Sequence, residues 1–176
     1  GAAMMVLESE AVRRGRGRRA RAFLSGYGTA SDAYHLTAPH PEGGGLRVAL
    51  RDALAAAGAS PADIAFINAH GTGTRENDRV ESLFFHDQFP GVPFGSTKGF
   101  TGHTLGAAGA IEAAFTIAAL ELRKIPATAG FEVPDPELPA HPSRMPTAIT
   151  GTIALSQTLA FGGNNSILIF SAEPNA

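Results

Sequence analysis

Twice in this chain a short run of β-branched and aromatic residues stops at a segment of glycine, threonine and histidine, and a helix-like stretch follows. The first run, 64–69, ends at His70-Gly71-Thr72-Gly73-Thr74. The second, 93–97, runs into Ser96-Thr97-Lys98-Gly99-Phe100-Thr101-Gly102-His103. Strands that hand over to helices through glycine turns indicate an α/β domain with a mixed sheet. Histidines delivered in this way stand where sites are usually built, at the carboxyl ends of the strands.

The rest of the chain fits that frame. An apolar segment, 2–7, reads as a strand, and a basic stretch, 13–21, holds six of the twelve arginines. A strand is expected near 23–27, followed by a loop over 28–45. Leu46, Leu50, Ala53, Leu54 and Ala57 share one helical face, which Gly58 ends. Asp78 with Glu81 three residues on resembles a capping box for a helix running to about Phe89. The spacing predicts the longest helix from about 104 to 124, with Arg123 and Lys124 in its last turn and Pro126 just beyond. Residues 126–148 carry six of the twelve prolines and read as an ordered loop. Two strands, 152–161 and 166–171, close around Gly162-Gly163-Asn164-Asn165.

Bulk properties remove several classes of function. A length of 176 residues with 44 % hydrophobic and 17 % charged residues supports one domain with a sizeable core. A formal charge of −2 argues against a dominant nucleic-acid surface. Charges interrupt every apolar run, so no membrane span is expected, and no signal-peptide pattern opens the chain. A cytoplasmic setting is the default. The absence of cysteine excludes disulfides, thiolate metal sites and a thiol nucleophile within these residues. The opening, without an initiator methionine, reads as a strand entered in its middle. A chain cut from a longer protein would look like this, and so would a tag or processing.

A lone histidine at a strand end is more often structural than catalytic, but the context of His70 points the other way. Gly71 and Gly73 permit close backbone approach, and Thr72 and Thr74 offer hydroxyls to a polar ligand. No phosphate-loop pattern is present. His103 repeats the arrangement, with Lys98 five residues before it and a slim helix start at Gly102, Gly106 and Gly109. Zinc is the rival use of two histidines, with Asp78 and Glu81 as oxygen donors, but the spacings that mark such sites are absent and no metal is expected. Phe161 beside Gly162 and Gly163 suits a pocket gate as well as a plain strand end. The arginine stretch is read as a solvated surface, with docking of an acidic partner as the lesser alternative.

Taken in order, these motifs resemble the C-terminal half of a β-ketoacyl-[acyl-carrier-protein] synthase, the condensing enzyme of fatty-acid and polyketide assembly. Residues 1–8 are similar to the segment that closes that family's first half, and 1–10 are expected to be its last strand. Ser31-Asp32-Ala33-Tyr34-His35-Leu36-Thr37-Ala38-Pro39 resembles the loop before the helix. His70–Thr74, 96–109 and Phe161-Gly162-Gly163-Asn164-Asn165 match the two histidine motifs and the glycine turn. The resemblance runs nearly end to end, so 1–176 is read as one C-terminal synthase domain of thiolase-like α/β fold, with helices on the faces of its sheet.

The resemblance implies roles residue by residue. His70 and His103 match the two histidines of a Cys-His-His triad. Lys98 matches the motif lysine, and Glu112 the acid that pairs with it. That pair is expected to orient His103. Asp78 and Glu81 fall at the acidic positions after the first motif. Thr72 and Thr74 match threonines that contact a phosphopantetheine arm, and Phe161, with Gly162 and Gly163, the gate beside an acyl pocket. The implied reaction is decarboxylative condensation of an acyl thioester with a malonyl group on an acyl carrier protein, and no cofactor beyond the carrier's phosphopantetheine is implied. The implied partners are that carrier, the cysteine-bearing N-terminal half, and a second subunit in a homodimer or heterodimer. This chain alone is expected to be inactive. The alternatives are a non-catalytic partner of the chain-length-factor kind and a thiolase-like enzyme acting on coenzyme A esters.

Overall fold

The structure is a computed structural model and describes residues 1–174. Seven strands and five α-helices follow in the order α1 (Glu10–Gly15), β1 (Phe23–Ser31), α2 (Gly44–Ala57), β2 (Ile64–Asn68), α3 (Arg75–Gln88), β3 (Phe94–Gly95), α4 (Lys98–Thr101), α5 (Ala108–Leu122), β4 (Lys124–Ile125), β5 (Thr147–Ala148), β6 (Ile153–Ala160) and β7 (Asn164–Ser171). Five strands form one sheet in the order β1-β7-β6-β2-β3. The β1–β7 and β7–β6 pairs are antiparallel, while β6–β2 and β2–β3 are parallel, so the sheet is mixed.

Alternation along the strands supplies two apolar faces, because successive side chains point to opposite sides. On one face Ile67, Leu155, Ile167 and Ile169 pack with Leu46 and Leu50 of α2 and with Phe84 and Phe85 of α3. On the other, Phe66, Ala154 and Phe170 pack with Ala113, Ala119 and Leu120 of α5. Each fully buried Leu, Ile or Phe contributes about 1.5–3 kcal/mol relative to exposure. Helix α2 crosses β1 in backbone contact: a Cβ at Gly28 would lie 2.0 Å from the Ala49 carbonyl oxygen, and one at Gly26 2.2 Å from that of Ala53. The two glycines therefore set how closely this helix approaches its strand.

Several expectations are corrected. Residues 2–7 form no strand, since no neighbour in this chain pairs with them, and Met4, Val6 and Leu7 stay exposed. The long helix begins late because Leu105 takes a left-handed φ of 54°, giving a 3₁₀ turn at Leu105–Ala107 before α5. It ends at Leu122; Arg123 is a left-handed cap and Lys124 already belongs to β4. The capping box at Asp78 and Glu81 is absent. Helix α3 starts four residues earlier, with Thr74 as its N-cap, and the Glu81 side chain turns inward instead. Residues Leu105–Leu122, with a mean hydropathy of 1.5, are long and apolar enough by composition to cross a membrane, contrary to the reading of the charges. Here one face of the stretch packs on the sheet through Ala113, Ala119 and Leu120, while Leu105, Phe115 and Leu122 stay exposed, and its Glu112 is paired internally.

The arginine stretch lies at one end of this sheet. Phe23 pairs with Ser171, Ser171 with Ile153, and Ile153 with Ile64, so β1 starts at the amino end of β2. Four of the arginines meet carboxylates: Arg13 and Arg14 meet Glu10, Arg16 meets Glu8, and Arg21 meets Glu121. His70 follows the carboxyl end of the same strand, at the opposite edge.

Candidate active site at two histidines

The carboxyl ends of β2 and β3 carry the site. Beyond β2 the chain turns at His70-Gly71, and Gly71 has a φ of 53° with no room for a side chain: a Cβ there would lie 2.3 Å from Cβ of Ser96. That contact places the first motif against the second. The Ser96 hydroxyl donates to the Gly71 carbonyl at 3.2 Å and accepts from the Lys98 amide at 3.2 Å. The short helix α4 then brings His103 across, so that the two imidazoles meet edge to face with centroids 5.5 Å apart and planes at 84°.

The surroundings fix which ring nitrogen of each histidine carries the proton. The Leu105 amide donates to Nδ1 of His103 at 3.2 Å. Lys98 Nζ lies 3.3 Å from Nδ1 of His70 and donates to the His70 carbonyl oxygen at 2.5 Å. With Nδ1 accepting in both rings, the proton of each neutral imidazole sits on Nε2. Burial, the Lys98 ammonium and then His103 hold His70 neutral, with its pKa lowered to about 3. Burial and Lys98 also lower the pKa of the more exposed His103.

Lys98 and Glu112 are both buried and form a direct ion pair. Burial pushes the Glu112 carboxyl up against the pull of that ammonium. The expectation that this pair orients His103 is corrected: Lys98 bonds His70, because α4 carries its side chain back under the β2 turn. Glu81 is buried and accepts from the His70 amide at 2.7 Å and the Gly71 amide at 2.8 Å. Asn77 and Gln157 complete its shell at 2.7 and 2.8 Å. Burial nonetheless raises the Glu81 carboxyl, the four donors pulling it back only in part.

Thr72, Gly73, Asp78, Glu81, Lys98 and His103 line a cavity of about 1080 Å³, roofed by residues 128–142. Burial raises the Asp78 carboxyl at its wall. The Thr72 and Thr74 hydroxyls are 3.2 Å apart. Phe161, Gly162 and Gly163 are not in that lining; Phe161 stands exposed on the β6–β7 turn. Among the described residues no three His, Asp or Glu side chains gather as a metal centre. Sequence reasoning missed Asn77 and Gln157. It also missed Asp32, whose carboxylate accepts from His40, Gly45 and Asn165 while its amide donates to the Gly163 carbonyl. A lone Asn or Gln inside an amphipathic pattern carries no signal of its own, whereas Asp32 lies in the Ser31–Pro39 segment that resembles the family's loop.

Residues 21–132 match the family model described as "Beta-ketoacyl synthase, C-terminal domain". The chain belongs to the β-ketoacyl synthase family. It is 40 % identical to 3-oxoacyl-[acyl-carrier-protein] synthase 2 of Staphylococcus aureus over 176 residues, covering 97 % of this chain and 43 % of that protein. Among solved structures, the synthase half is similar to the ketosynthase (ApeO) in complex with its chain length factor (ApeC) from Xenorhabdus doucetiae. The TM-score is 0.83 and the identity 43 %, over 88 % of this chain and 40 % of that one. It is also similar to AntDE:AntF, a type II polyketide acyl-carrier protein in complex with its ketosynthase, with a TM-score of 0.88 and 30 % identity over 94 % and 42 % of the two chains. These neighbours and the mixed sheet with its packed helices show the thiolase-like α/β fold of a synthase C-terminal half. The chain spans less than half the length of the relatives it matches.

Proposed function

We propose that the protein carrying this half catalyses decarboxylative Claisen condensation of an acyl thioester with malonyl on an acyl carrier protein, in fatty-acid or polyketide synthesis. The observation that carries the reading is the pair of neutral imidazoles, edge to face, each with its proton on Nε2. A cysteine thiolate outside this chain attacks the acyl thioester, forming an enzyme thioester and releasing the carrier thiol. Malonyl thioester then loses CO₂, and the electrons of the broken C–C bond form an enolate. His70 and His103 each donate a hydrogen bond to the enolate oxygen, where charge develops. The enolate carbon attacks the enzyme thioester, expels the cysteine thiolate and leaves the β-ketoacyl group on its carrier.

In this reading Lys98, paired with Glu112, and Glu81 hold the His70 turn, and Asp78 lines the wall beside it. Thr72 and Thr74 contact the phosphopantetheine arm, and Phe161 gates the acyl pocket from the Gly162-Gly163 turn. The arm is the only prosthetic group required. The partners are the carrier, the cysteine-bearing half and a second subunit, and the setting is cytoplasmic. This chain by itself condenses nothing. The arginine stretch, at the far end of the sheet from His70, is a solvated surface rather than the carrier's dock.

The test is to supply the full-length protein with an acyl donor and malonyl-carrier and to follow the β-ketoacyl-carrier by mass spectrometry. Product with carrier-bound but not coenzyme A-bound malonyl supports the reading. Product only from coenzyme A esters points to the thiolase-like alternative. No product and no CO₂ release points to a non-catalytic partner.

A further inference from the structure

Gln157 lies in the middle of β6, fully buried, four residues before Phe161. Its Nε2 donates to Oε1 of Glu81 at 2.8 Å, the same oxygen that accepts the His70 amide at 2.7 Å. Oε2 of Glu81 takes the Gly71 amide and Asn77 Nδ2. Of these four donors, one belongs to Glu81's own helix and two to the histidine turn. The turn's carbonyls are held separately, by Lys98 and Ser96, so what the other three donors leave open is the position of the Glu81 carboxylate against β6. Gln157 supplies the remaining bond, and it comes from a central strand. The carboxamide is also suited to its neighbour: it offers an N–H dipole to a buried carboxylate without adding a second charge. Its own Oε1 has no hydrogen-bond partner among the described residues, so the bond to Glu81 is what its carboxamide contributes.

We propose that Gln157 is a positioning residue for the condensing reaction. It fixes Glu81 against the sheet, and through Glu81 it fixes where His70 stands relative to His103. The proposal rests on the catalytic reading of the two histidines. It predicts a selective defect. Decarboxylation of malonyl-carrier depends on that placement, whereas acyl transfer to the cysteine does not.

The test uses the full-length protein with Gln157→Met, which keeps the volume, and Gln157→Glu, which keeps the shape. CO₂ release from malonyl-carrier and formation of the acyl-enzyme are measured separately. A displacement near 1 Å at a reacting group costs on the order of 100-fold. Gln157→Met is therefore expected to lower CO₂ release by about 10- to 100-fold while acylation stays within about twofold of the parent. Unchanged CO₂ release would overturn the proposal, and so would an equal fall in both steps. Gln157→Glu sets two buried carboxyls together, which share one proton until the pH rises. CO₂ release by this variant is expected near the parent level at low pH and to fall on an alkaline limb that the parent lacks. A flat profile, or one identical to the parent's, overturns the proposal even if the methionine variant fails to fold. Loss of CO₂ release in the parent itself would instead sink the catalytic reading beneath it.

Discussion

The imidazole of His103 stands edge-on to that of His70, 5.5 Å from centroid to centroid, and each ring's Nδ1 is already engaged. In the proposed reaction the Nε2–H of each ring donates to the same enolate oxygen. Removing one such donor typically costs on the order of 10²–10³ in rate. His70→Ala and His103→Ala in the full-length protein are each expected to lower CO₂ release from malonyl-carrier by that factor. The double variant should lose less than the product of the two, since donors to one oxygen act as a unit. Full activity in both single variants would remove the histidines from the chemistry.

The two histidines should also respond differently to acid. His70 is held neutral, with a pKa lowered to about 3, by burial and by Lys98; His103 is lowered too but is far more open to water. An ordinary imidazole protonates near pH 6.5. The acid limb of decarboxylation should therefore fall below pH 6.5 and follow His103, since His70 keeps its form. For stability the sign follows from proton uptake. Between pH 6.5 and about 3 the unfolded chain binds a proton at residue 70 that the folded chain refuses. The contribution of His70 is thus present above pH 6.5 and lost progressively as pH falls through that window. The buried carboxyls of Glu81 and Glu112, raised in the fold, act in the opposite direction, losing stability as pH rises above the unfolded value near 4.5. Denaturant melts of the parent and of His70→Phe across pH 4–7 should differ in slope, and identical slopes would rule out a neutral buried His70.

What the sequence revealed and what it hid have separate physical causes. Helix α2 was legible because Leu46, Leu50, Ala53 and Leu54 mark one face and Gly58 ends it with a left-handed residue. The histidine turns were legible because glycines at strand ends leave few alternatives. The inward turn of Glu81 was not, because an acidic residue near a helix start reads as a cap until the neighbouring strand is in place. Segment 2–7 misled for a related reason: its pattern is that of a strand, but a strand exists only where another pairs with it. The direction of Lys98 depended on the short helix α4, whose four residues carry no periodicity to read.

Lys98 offers a test of the fold apart from any reaction. It is buried with Glu112 and bonds both that carboxylate and the His70 carbonyl. Breaking a buried pair by removing one partner typically costs about 3–5 kcal/mol, because the other charge is left unpaired. Lys98→Met should lower unfolding stability by that amount, measured by denaturant melts. Lys98→Met with Glu112→Leu should recover much of it, since an apolar pair replaces an ionic one. A single variant as stable as the parent would mean that the ammonium is not buried as described.

Gly71 sets the distance between the two histidine motifs, and a single methyl group should reveal it. At φ 53° a side chain carries left-handed strain of roughly 1–2 kcal/mol. The new Cβ would also meet Ser96 Cβ at 2.3 Å and Oγ at 2.4 Å, which forces the turn or the strand end to move. Overpacking of this kind adds about 1–3 kcal/mol. Gly71→Ala should therefore cost about 2–5 kcal/mol. Ser96→Gly in the same chain opens the space the methyl needs, although it gives up the serine's bonds to Gly71 and Lys98. The pair should then be more stable than the two separate losses add up to, by a coupling of about 1–3 kcal/mol. The left-handed strain would remain, because it belongs to residue 71 alone. If the two losses simply add, Gly71 is there for its backbone angle only, and the contact with Ser96 does not set how far apart His70 and His103 stand.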